Sequence, residues 1–275
     1  MVSSNYLTVN KFERLKNSCI RLCIVIKFIT KGKNMISPTD EFLGKQRLLV
    51  VSPHADDEAY GCAGTIAKIK KLGGEAYVMA MSVGDLQHYD GKGTVVSKEQ
   101  RKEEFIKTAE FLNVDGYDIV FEDTEKHLRL DAMPRRDLIS VIERDSKVAI
   151  DRIKPTMIAL PAISYNQDHC AVFQAGFTAC RPHLKELKPF QSIVLIYDNP
   201  TLFWNMEREK FHPNFYVDIS DYLDIKLKAM SLHASQLRPS LHHCSLDNLE
   251  NLVKLRGREI SVKAAEAFMC LRFAL

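Results

Sequence analysis

Short apolar runs alternate with longer amphipathic segments along the chain, starting at Arg47. The apolar runs predict β-strands, which we place at residues 47–52, 76–82, 117–121, 156–160, 192–197 and 215–217. The amphipathic segments predict helices, which we place at residues 60–72, 97–113, 135–153, 168–180, 219–234 and 246–268. Strands that alternate with helices build right-handed β-α-β units around one sheet. The pattern therefore predicts an α/β fold: a Rossmann-like, doubly wound, mostly parallel sheet with helices on both faces.

Local signals define some boundaries within this pattern. Ser97 and Gln100 form a capping box that begins the helix at 97–113. Residues 83–96 are mostly polar and predict a loop, and Gly257 marks a point at which the last helix can break.

The first 44 residues precede the alternating pattern. Residues 19–29 are apolar, but they include Arg21 and Lys27 and are far fewer than the roughly 20 residues of a membrane-spanning helix. We therefore expect residues 1–44 to be an N-terminal extension, helical or partly disordered, with a weak surface anchor as the alternative. A natural start at Met35, with the preceding residues as an upstream extension, is also open. Residues 45–275 are expected to form one domain.

Composition narrows the range of functions. Hydrophobic residues make up 46% of the 275 residues and charged residues 27%, which is ordinary for a globular protein and excludes collagen and coiled coils. The 38 basic and 35 acidic side chains leave a net charge of +3, too small to indicate a nucleic-acid partner or an anionic membrane surface. The seven cysteines are scattered and include no C-x-x-C pair, so we expect no disulfide framework and a cytoplasmic location.

Side chains that could bind a metal ion or catalyse a reaction follow two of the predicted strands. Ligands of doubly wound sheets bind beyond the carboxyl ends of the strands. Directly after the first strand, His54, Asp56, Asp57 and Glu58 crowd into five residues. Burying so many carboxylates without a cation would be costly, so the segment indicates a metal site unless it is an acidic turn exposed to solvent.

The second segment follows the fourth strand. Asp168 and His169 stand at the beginning of a predicted helix, at the same edge of the sheet. Taken alone, His169 would be a capping or core histidine. Taken with the first segment, His54, Asp57 and His169 supply nitrogen and oxygen ligands suited to zinc, with a fourth position left for water or substrate. Asp56 or Asp168 then remains to act as a base or to orient a metal-binding imidazole.

The first segment resembles the LmbE-like, PIG-L family of zinc-dependent sugar N-deacetylases, whose motif Pro-His-x-Asp-Asp-Glu is matched by residues 53–58. The family's second motif, His-x-Asp-His, is matched in part by residues 166–169. Weaker family features are matched by Arg101 with Glu104, the segment 213–220 leading to Lys226, the run 233–236 and residues 265–268. The similarity covers residues 46–270, approximately.

This resemblance implies an LmbE-like deacetylase domain that binds Zn²⁺, or another divalent metal ion. Its substrate would be an N-acetylglucosamine-type sugar in a glycoconjugate, sugar nucleotide or glycolipid. By the same resemblance the metal ligands are His54, Asp57 and His169, and the general base is Asp56. Arg101 would contact the substrate, Asp123 would be a further contact outside any clear motif, and Asp168 would support a metal ligand. For Arg101 and Asp123, a solvated surface charge is the alternative.

Position 166 departs from the family pattern. Many relatives carry a histidine three residues before the second histidine ligand, where this chain has Asn166. Asparagine is not an acid near neutral pH, but its amide NH₂ can hydrogen-bond an oxyanion, so Asn166 is a catalytic candidate. His233, in a segment that matches the family, is the first candidate for the missing acid. The other histidines are expected at the surface: His88, His127, His183, His212, His242 and His243.

Two other functions stay open from the sequence: a zinc hydrolase acting on another amide or on a thiol-conjugated sugar, and a metal-binding α/β module without catalysis. Specificity for the aglycone is expected in the loops 84–98, 123–134 and 199–214. Phe203, Trp204 and Tyr216 are candidates for stacking on a sugar, with core packing as the alternative. We expect neither a nucleic-acid partner nor an integral membrane segment, and the oligomeric state is open.

Overall fold

The computed structural model describes residues 37–89, 91–203 and 211–275. Contacts divide the chain into two units, residues 1–41 and residues 42–275, and the central sheet belongs to the second. Most of the predicted N-terminal extension falls on residues 1–36, outside the described part of the chain, and stays a prediction. Within the described ranges, no helix is both long enough and apolar enough to cross a bilayer.

The described strands are β1 (Arg47–His54), β2 (Glu75–Ser82), β3 (Leu86–Gln87), β4 (Val95–Val96), β5 (Gly116–Phe121), β6 (Met157–Pro161), β7 (Ile193–Tyr197), β8 (Phe215–Asp218) and β9 (Ala265–Phe273). Seven of them form one sheet in the order β5-β2-β1-β6-β7-β9-β8. Neighbours are parallel from β5 to β7, whereas β9 runs antiparallel to both β7 and β8. The mostly parallel sheet confirms the predicted fold class.

The described helices are α1 (Pro38–Leu43), α2 (Asp57–Lys71), α3 (Lys98–Phe111), α4 (Arg135–Ser140), α5 (Ile150–Ile153), α6 (Gln167–Ala179), α7 (Leu223–Leu232) and α8 (Leu246–Glu259). Short 3₁₀ turns lie at Leu130–Ala132, Pro200–Phe203 and Ala234–Gln236, and a π turn lies at Val141–Asp145. Helix α3 begins as predicted, because the Ser97 hydroxyl accepts a hydrogen bond from the Gln100 N–H at 3.2 Å.

One predicted helix is interrupted. In place of a continuous helix at 135–153, the chain forms α4, the π turn and α5. Ser146 adopts an extended conformation after the π turn, and its hydroxyl donates to the buried carboxylate of Asp118 at 2.8 Å. The tertiary contact with Asp118 therefore competes with the helical conformation that the amphipathic pattern favours.

The last predicted helix is too long. Helix α8 ends at Glu259, and residues 265–273 form the strand β9 between β7 and β8. After α8 ends, the chain packs back against Gly257, where a Cβ atom would lie 2.8 Å from the Cα atom of Ala264. The apolar run of a strand inserted between two others resembles that of a buried helix, so periodicity alone did not separate them. The predicted loop at 83–96 also contains the small hairpin β3–β4.

Both faces of the sheet are covered by helices. On β1, Leu48 and Val50 pack into one core cluster with residues of α2, α3, α7 and α8. The alternate residues Leu49 and Val51 pack into a second cluster with residues of α4 and α6. Burial on both faces explains why β1 is a continuous apolar run rather than an alternating one.

A buried ion pair joins α2, α7 and β9. The carboxylate of Glu266 accepts hydrogen bonds from the N–H groups of Gly64 at 2.9 Å and Thr65 at 2.7 Å. Lys226 pairs with Glu266 and also donates to the carbonyl oxygens of Ala59 and Tyr60. The two charges are fully buried, so each depends on the other and on these backbone groups for its stability.

The connections after β1 and β6 meet at the centre of the sheet. The strand β1 pairs with β2 on one side and with β6 on the other, so the order of strands reverses between β1 and β6. This is the switch point at which doubly wound sheets bind their ligands.

Candidate active site

The turn between β1 and α2 is held by carboxylates. His54 is the last residue of β1, and its N–H donates to Oδ2 of Asp57 at 3.0 Å. The N–H of Asp56 donates to Oε2 of Glu58 at 3.1 Å. Asp56 has a φ of 135°, a conformation that residues other than glycine rarely adopt and that often marks a functional site. His54, Asp57 and Glu58 are buried, so the solvent-exposed acidic turn is excluded.

Three side chains converge in front of this turn. His54, Asp57 and His169 each offer one candidate ligand atom, and these atoms lie within 4.8 Å of one another. Oδ2 of Asp57 is 3.4 Å from Nδ1 of His54 and 3.4 Å from Nε2 of His169. Burial alone would raise the pKa of Asp57, but the two imidazoles hold it well below its ordinary value.

The donor set fits a divalent metal ion. Nδ1 of His54 and Nε2 of His169 both lie 3.4 Å from Oδ2 of Asp57, so the three side chains can share one ion. Two imidazoles and one carboxylate are ligands that zinc accepts readily, and three protein ligands leave a position for water or substrate. His54, Asp57 and His169 could therefore hold the metal that the sequence predicted.

Asp168 orients the first of these histidines. Its Oδ2 atom lies 3.0 Å from Nε2 of His54, and its Oδ1 atom accepts from the N–H of Leu130 at 2.9 Å. Asp168 is fully buried. Burial opposes protonation of His54, but Asp168 and Asp57 together raise its pKa to about 9 in the metal-free protein. The contact with Asp168 leaves Nδ1 of His54 directed at Asp57.

Asn166 begins the helix that carries His169. Its side-chain oxygen accepts from the N–H groups of Asp168 at 3.0 Å and His169 at 3.4 Å, the arrangement of a helix N-cap. Asn166 thus positions two residues of the site through its carbonyl oxygen.

A buried pair of His233 and Glu58 lies beside the candidate metal ligands. Nε2 of His233 is 2.8 Å from Oε1 of Glu58, and both side chains are almost completely buried. Burial disfavours the imidazolium, but the carboxylates of Glu58, Asp56 and Glu104 raise the pKa of His233 overall. Glu104 also accepts hydrogen bonds from the N–H and hydroxyl of Ser235, at 3.0 and 2.6 Å. The segment after α7 is therefore fixed to α3 and α2.

Arg101 lies in the interior, so the solvated surface charge is excluded for it. Its Nη1 atom donates to the carbonyl oxygen of Gly84 at 3.1 Å and to Nε2 of His127, while Nε has no partner among the described residues. The imidazole of His127 packs edge-on against that of His54, with ring centroids 5.1 Å apart.

Sequence reasoning missed His127. The expectation of a surface position is wrong, because only 5% of His127 is exposed. The signal that could have found it is its position: the segment 122–130 follows β5 at the same edge of the sheet as the two motifs. Of the other histidines predicted at the surface, His183, His212 and His242 are exposed, whereas His88 and His243 are partly buried.

Asp123 has local contacts. Its carboxylate accepts from the N–H of Glu125 at 2.9 Å and lies 3.7 Å from Nζ of Lys126. Among the aromatic candidates, Phe203 is 39% exposed and the Tyr216 hydroxyl donates to the carbonyl oxygen of Pro213. Trp204 lies outside the described residues.

Residues 49–180 match the family model described as PIG-L, GlcNAc-PI de-N-acetylase. The chain is 29% identical over 206 residues to the diacetylchitobiose deacetylase of Thermococcus kodakarensis, and the aligned region covers 72% of each protein. It is 26% identical over 204 residues to the probable N-acetyl-alpha-D-glucosaminyl L-malate deacetylase 2 of Bacillus subtilis, covering 70% of this chain and 84% of that protein.

Solved structures with this fold include the 4-carboxy-2-hydroxymuconate hydratase GalB of Pseudomonas putida. It superposes with a TM-score of 0.64 at 17% identity, over 84% of this chain and 98% of that chain. At this identity the likeness establishes the fold alone, and the fold serves more than one reaction.

Proposed function

We propose that the chain is a member of the PIG-L family and a metal-dependent hydrolase that removes the acetyl group from an N-acetylated amino sugar. The observation that carries the proposal is the buried group of His54, Asp57 and His169, with Asp56 beside it at the carboxyl edge of the sheet. The names of both relatives given above describe deacetylases of N-acetylated sugar compounds, the second as a probable one. The substrate class would be an N-acetylglucosamine-type sugar in a glycoconjugate, sugar nucleotide or glycolipid.

His54, Asp57 and His169 would hold the metal ion, and Asp168 would keep His54 in the orientation that ligation needs. Zinc suits two imidazoles and a carboxylate best, although another divalent ion can occupy such a set. When bound, the ion would supply Lewis acidity toward the acetamide carbonyl and favour ionisation of water at neutral pH.

Asp56 would take the proton from the attacking water. Burial and the neighbouring charge of Asp57 raise the pKa of Asp56 to about 6, while His233, Arg101 and His54 act in the opposite direction. A carboxylate with a raised pKa is a stronger base than usual and is still mostly ionised at pH 7.

His233 would deliver a proton to the departing amine. Its contact with Glu58 favours the imidazolium form, which is the form that an acid needs. Asn166 caps α6 with its oxygen, so its NH₂ group is the part that would donate to the tetrahedral oxyanion. Arg101 would bind the substrate with its fixed guanidinium, and Asp123 is the more peripheral candidate for a substrate contact.

An acetate-release assay tests the proposed function. The purified chain would be incubated with a panel of N-acetylglucosamine compounds that differ in the aglycone, with and without a chelator. We expect acetate and free amine in equal amounts, loss of both in chelator, and recovery on adding Zn²⁺. Metal-loaded protein that releases no acetate from the whole panel would favour a non-catalytic module. Hydrolysis of another amide or of a thiol-conjugated sugar instead would identify that compound as the substrate class.

We also propose a cytoplasmic location, on the basis of the cysteines. All five cysteines in the described ranges are free: Cys62, Cys170, Cys180, Cys244 and Cys270. Free thiols are typical of a reducing compartment.

A further inference from the structure

We propose that the turn formed by His242, His243 and Cys244 is a second metal site, which binds a thiophilic divalent ion such as Zn²⁺. One donor atom from each residue lies within 4.8 Å of the other two. The two imidazole rings are stacked, with centroids 4.2 Å apart and planes 26° apart. The cluster shares no residue with the group of His54, Asp57 and His169.

The backbone holds this turn in place before any ion binds. The N–H of His242 donates to the carbonyl oxygen of Pro239 at 3.1 Å, and the N–H of Ser245 donates to the carbonyl oxygen of His242 at 2.9 Å. The side chain of Asn248 donates to the carbonyl oxygen of His243 at 2.9 Å. Ser245 then caps α8 by accepting from the N–H of Asn248. A turn fixed from both sides loses little conformational freedom when its side chains bind an ion.

The donors select a soft ion. Two imidazole nitrogens and one sulfur are typical of zinc and cobalt sites, and they exclude Mg²⁺ and Ca²⁺, which prefer oxygen ligands. Burial and the charge of Arg238 lower the pKa of His242, and burial, His242 and Arg238 lower that of His243, which favours the neutral rings that can bind a metal ion.

Three features make the site weaker than the first. Burial raises the pKa of the Cys244 thiol to about 12, with Asp56 and Asp57 adding to the rise, so the metal must displace a proton from sulfur. In that exchange the S–H bond breaks, a sulfur–metal bond forms, and the proton leaves to solvent. Nδ1 of His242 accepts from the N–H of Cys244 at 3.0 Å, and ligation through that atom gives up this bond. Arg238 is the nearby positive charge.

Cobalt distinguishes the two sites, because only the second contains sulfur. The full chain, stripped with a chelator, would be titrated with Co²⁺ while its near-ultraviolet and visible spectra are recorded. We expect a first equivalent with visible bands only. A second, weaker equivalent should add a thiolate-to-cobalt charge-transfer band in the near ultraviolet. This readout does not depend on catalysis, so it is separate from the test of the proposed function.

Three variants test whether Cys244 produces the charge-transfer band. Cys244→Ser should abolish it and leave the first equivalent unchanged, and His243→Ala should weaken the second equivalent at least tenfold. Cys270→Ser is the matched control, since Cys270 is a partly buried cysteine on β9, and it should keep the band. Circular dichroism would confirm that each variant is folded. A wild-type titration without the near-ultraviolet band, or a band that persists in Cys244→Ser, would overturn the proposal.

Discussion

Arg101 donates a hydrogen bond from Nη1 to Nε2 of His127 in the interior of the domain. A guanidinium does not give up its protons, so Nε2 must supply a lone pair and the ring of His127 must be neutral. Its Nδ1–H then donates to the Ser82 hydroxyl at 3.0 Å, which donates to the carbonyl oxygen of Pro53 at 3.3 Å. Burial, with the charges of His54 and Arg101, lowers the pKa of His127 to about 2, in agreement with the neutral ring.

We expect His127→Ala to release Arg101 from its position and to raise KM by about tenfold, the effect of losing a hydrogen bond to a charged group. The value of kcat should change less, because Asp56 and the metal ligands remain in place. His127→Gln offers an amide oxygen in place of Nε2 and should restore most of the affinity. Steady-state kinetics and metal content would be measured together. An unchanged KM in His127→Ala would show that Arg101 does not depend on His127.

Removing one metal ligand should remove the metal. His169→Ala deletes one of three protein ligands, so the protein should lose most of its bound ion and, with it, its activity. Metal analysis after dialysis gives the stoichiometry, which should be about one ion at the first site of the wild type. His183→Ala removes an exposed histidine and should keep the wild-type content. Stoichiometric metal at that site in His169→Ala would mean that the ligand assignment is wrong.

Asp56→Asn separates metal binding from proton transfer. The amide has the shape of the carboxylate but no basicity, so kcat should fall by about 10² or more while the metal stays bound. Kinetics of the zinc-loaded variant and its metal content are the two measurements. Wild-type turnover would remove Asp56 from the role of base. Loss of the metal would instead indicate that Asp56 is a ligand and that its role was exchanged with that of Asp57.

The alkaline side of the pH–rate profile should report His233. The protonated ring is the active acid, so activity is lost as the pH rises through the pKa of His233. Glu58 is among the carboxylates that raise this pKa, and Glu58→Gln should therefore move the alkaline limb to lower pH. His233→Ala should flatten the limb. Glu103→Gln, on the exposed side of α3, should leave it unchanged. An unmoved limb in Glu58→Gln would assign the acid to another group.

Asn166 caps α6 and is also proposed to donate a hydrogen bond to the oxyanion. Two variants separate these two roles. Asn166→Ser keeps a capping oxygen but has no amide NH₂, so it should stay as stable as the wild type while kcat falls roughly 10- to 10³-fold. Asn166→Ala also removes the cap and should cost about 1 kcal/mol of folding free energy. Thermal unfolding and kcat would be compared. Full activity in Asn166→Ser would leave Asn166 with its capping role alone.

Much of the fold could be predicted because its central strands are buried on both faces and its helices carry local signals. Residues 48–51 are apolar throughout, and the Ser97 cap sets the beginning of α3. The segment after Gly257 could not be assigned in this way, since its strand conformation depends on pairing with β7 and β8. The break near Ser146 likewise depends on Asp118, a residue 28 positions away.

In the candidate site, too, the features encoded by local sequence could be predicted and those that depend on distant residues could not. The residues within motifs could be predicted, because the carboxyl edge of a parallel sheet brings the loops after β1 and β6 together. The contacts of Arg101 with His127 and of Glu58 with His233 join residues that are 26 and 175 positions apart. No local pattern encodes such pairs, so His127 remained among the presumed surface histidines.

The pairing of Glu266 with α2 has a consequence for protein synthesis. Glu266 accepts the N–H of Gly64 across 202 positions of sequence and pairs with Lys226. A growing chain that ends before β9 contains all three candidate metal ligands, yet Lys226 then has no carboxylate to pair with against α2. Docking of α7 would bury an unpaired charge, which is strongly unfavourable. We therefore expect α7 to dock stably against α2 only after β9 has been synthesised.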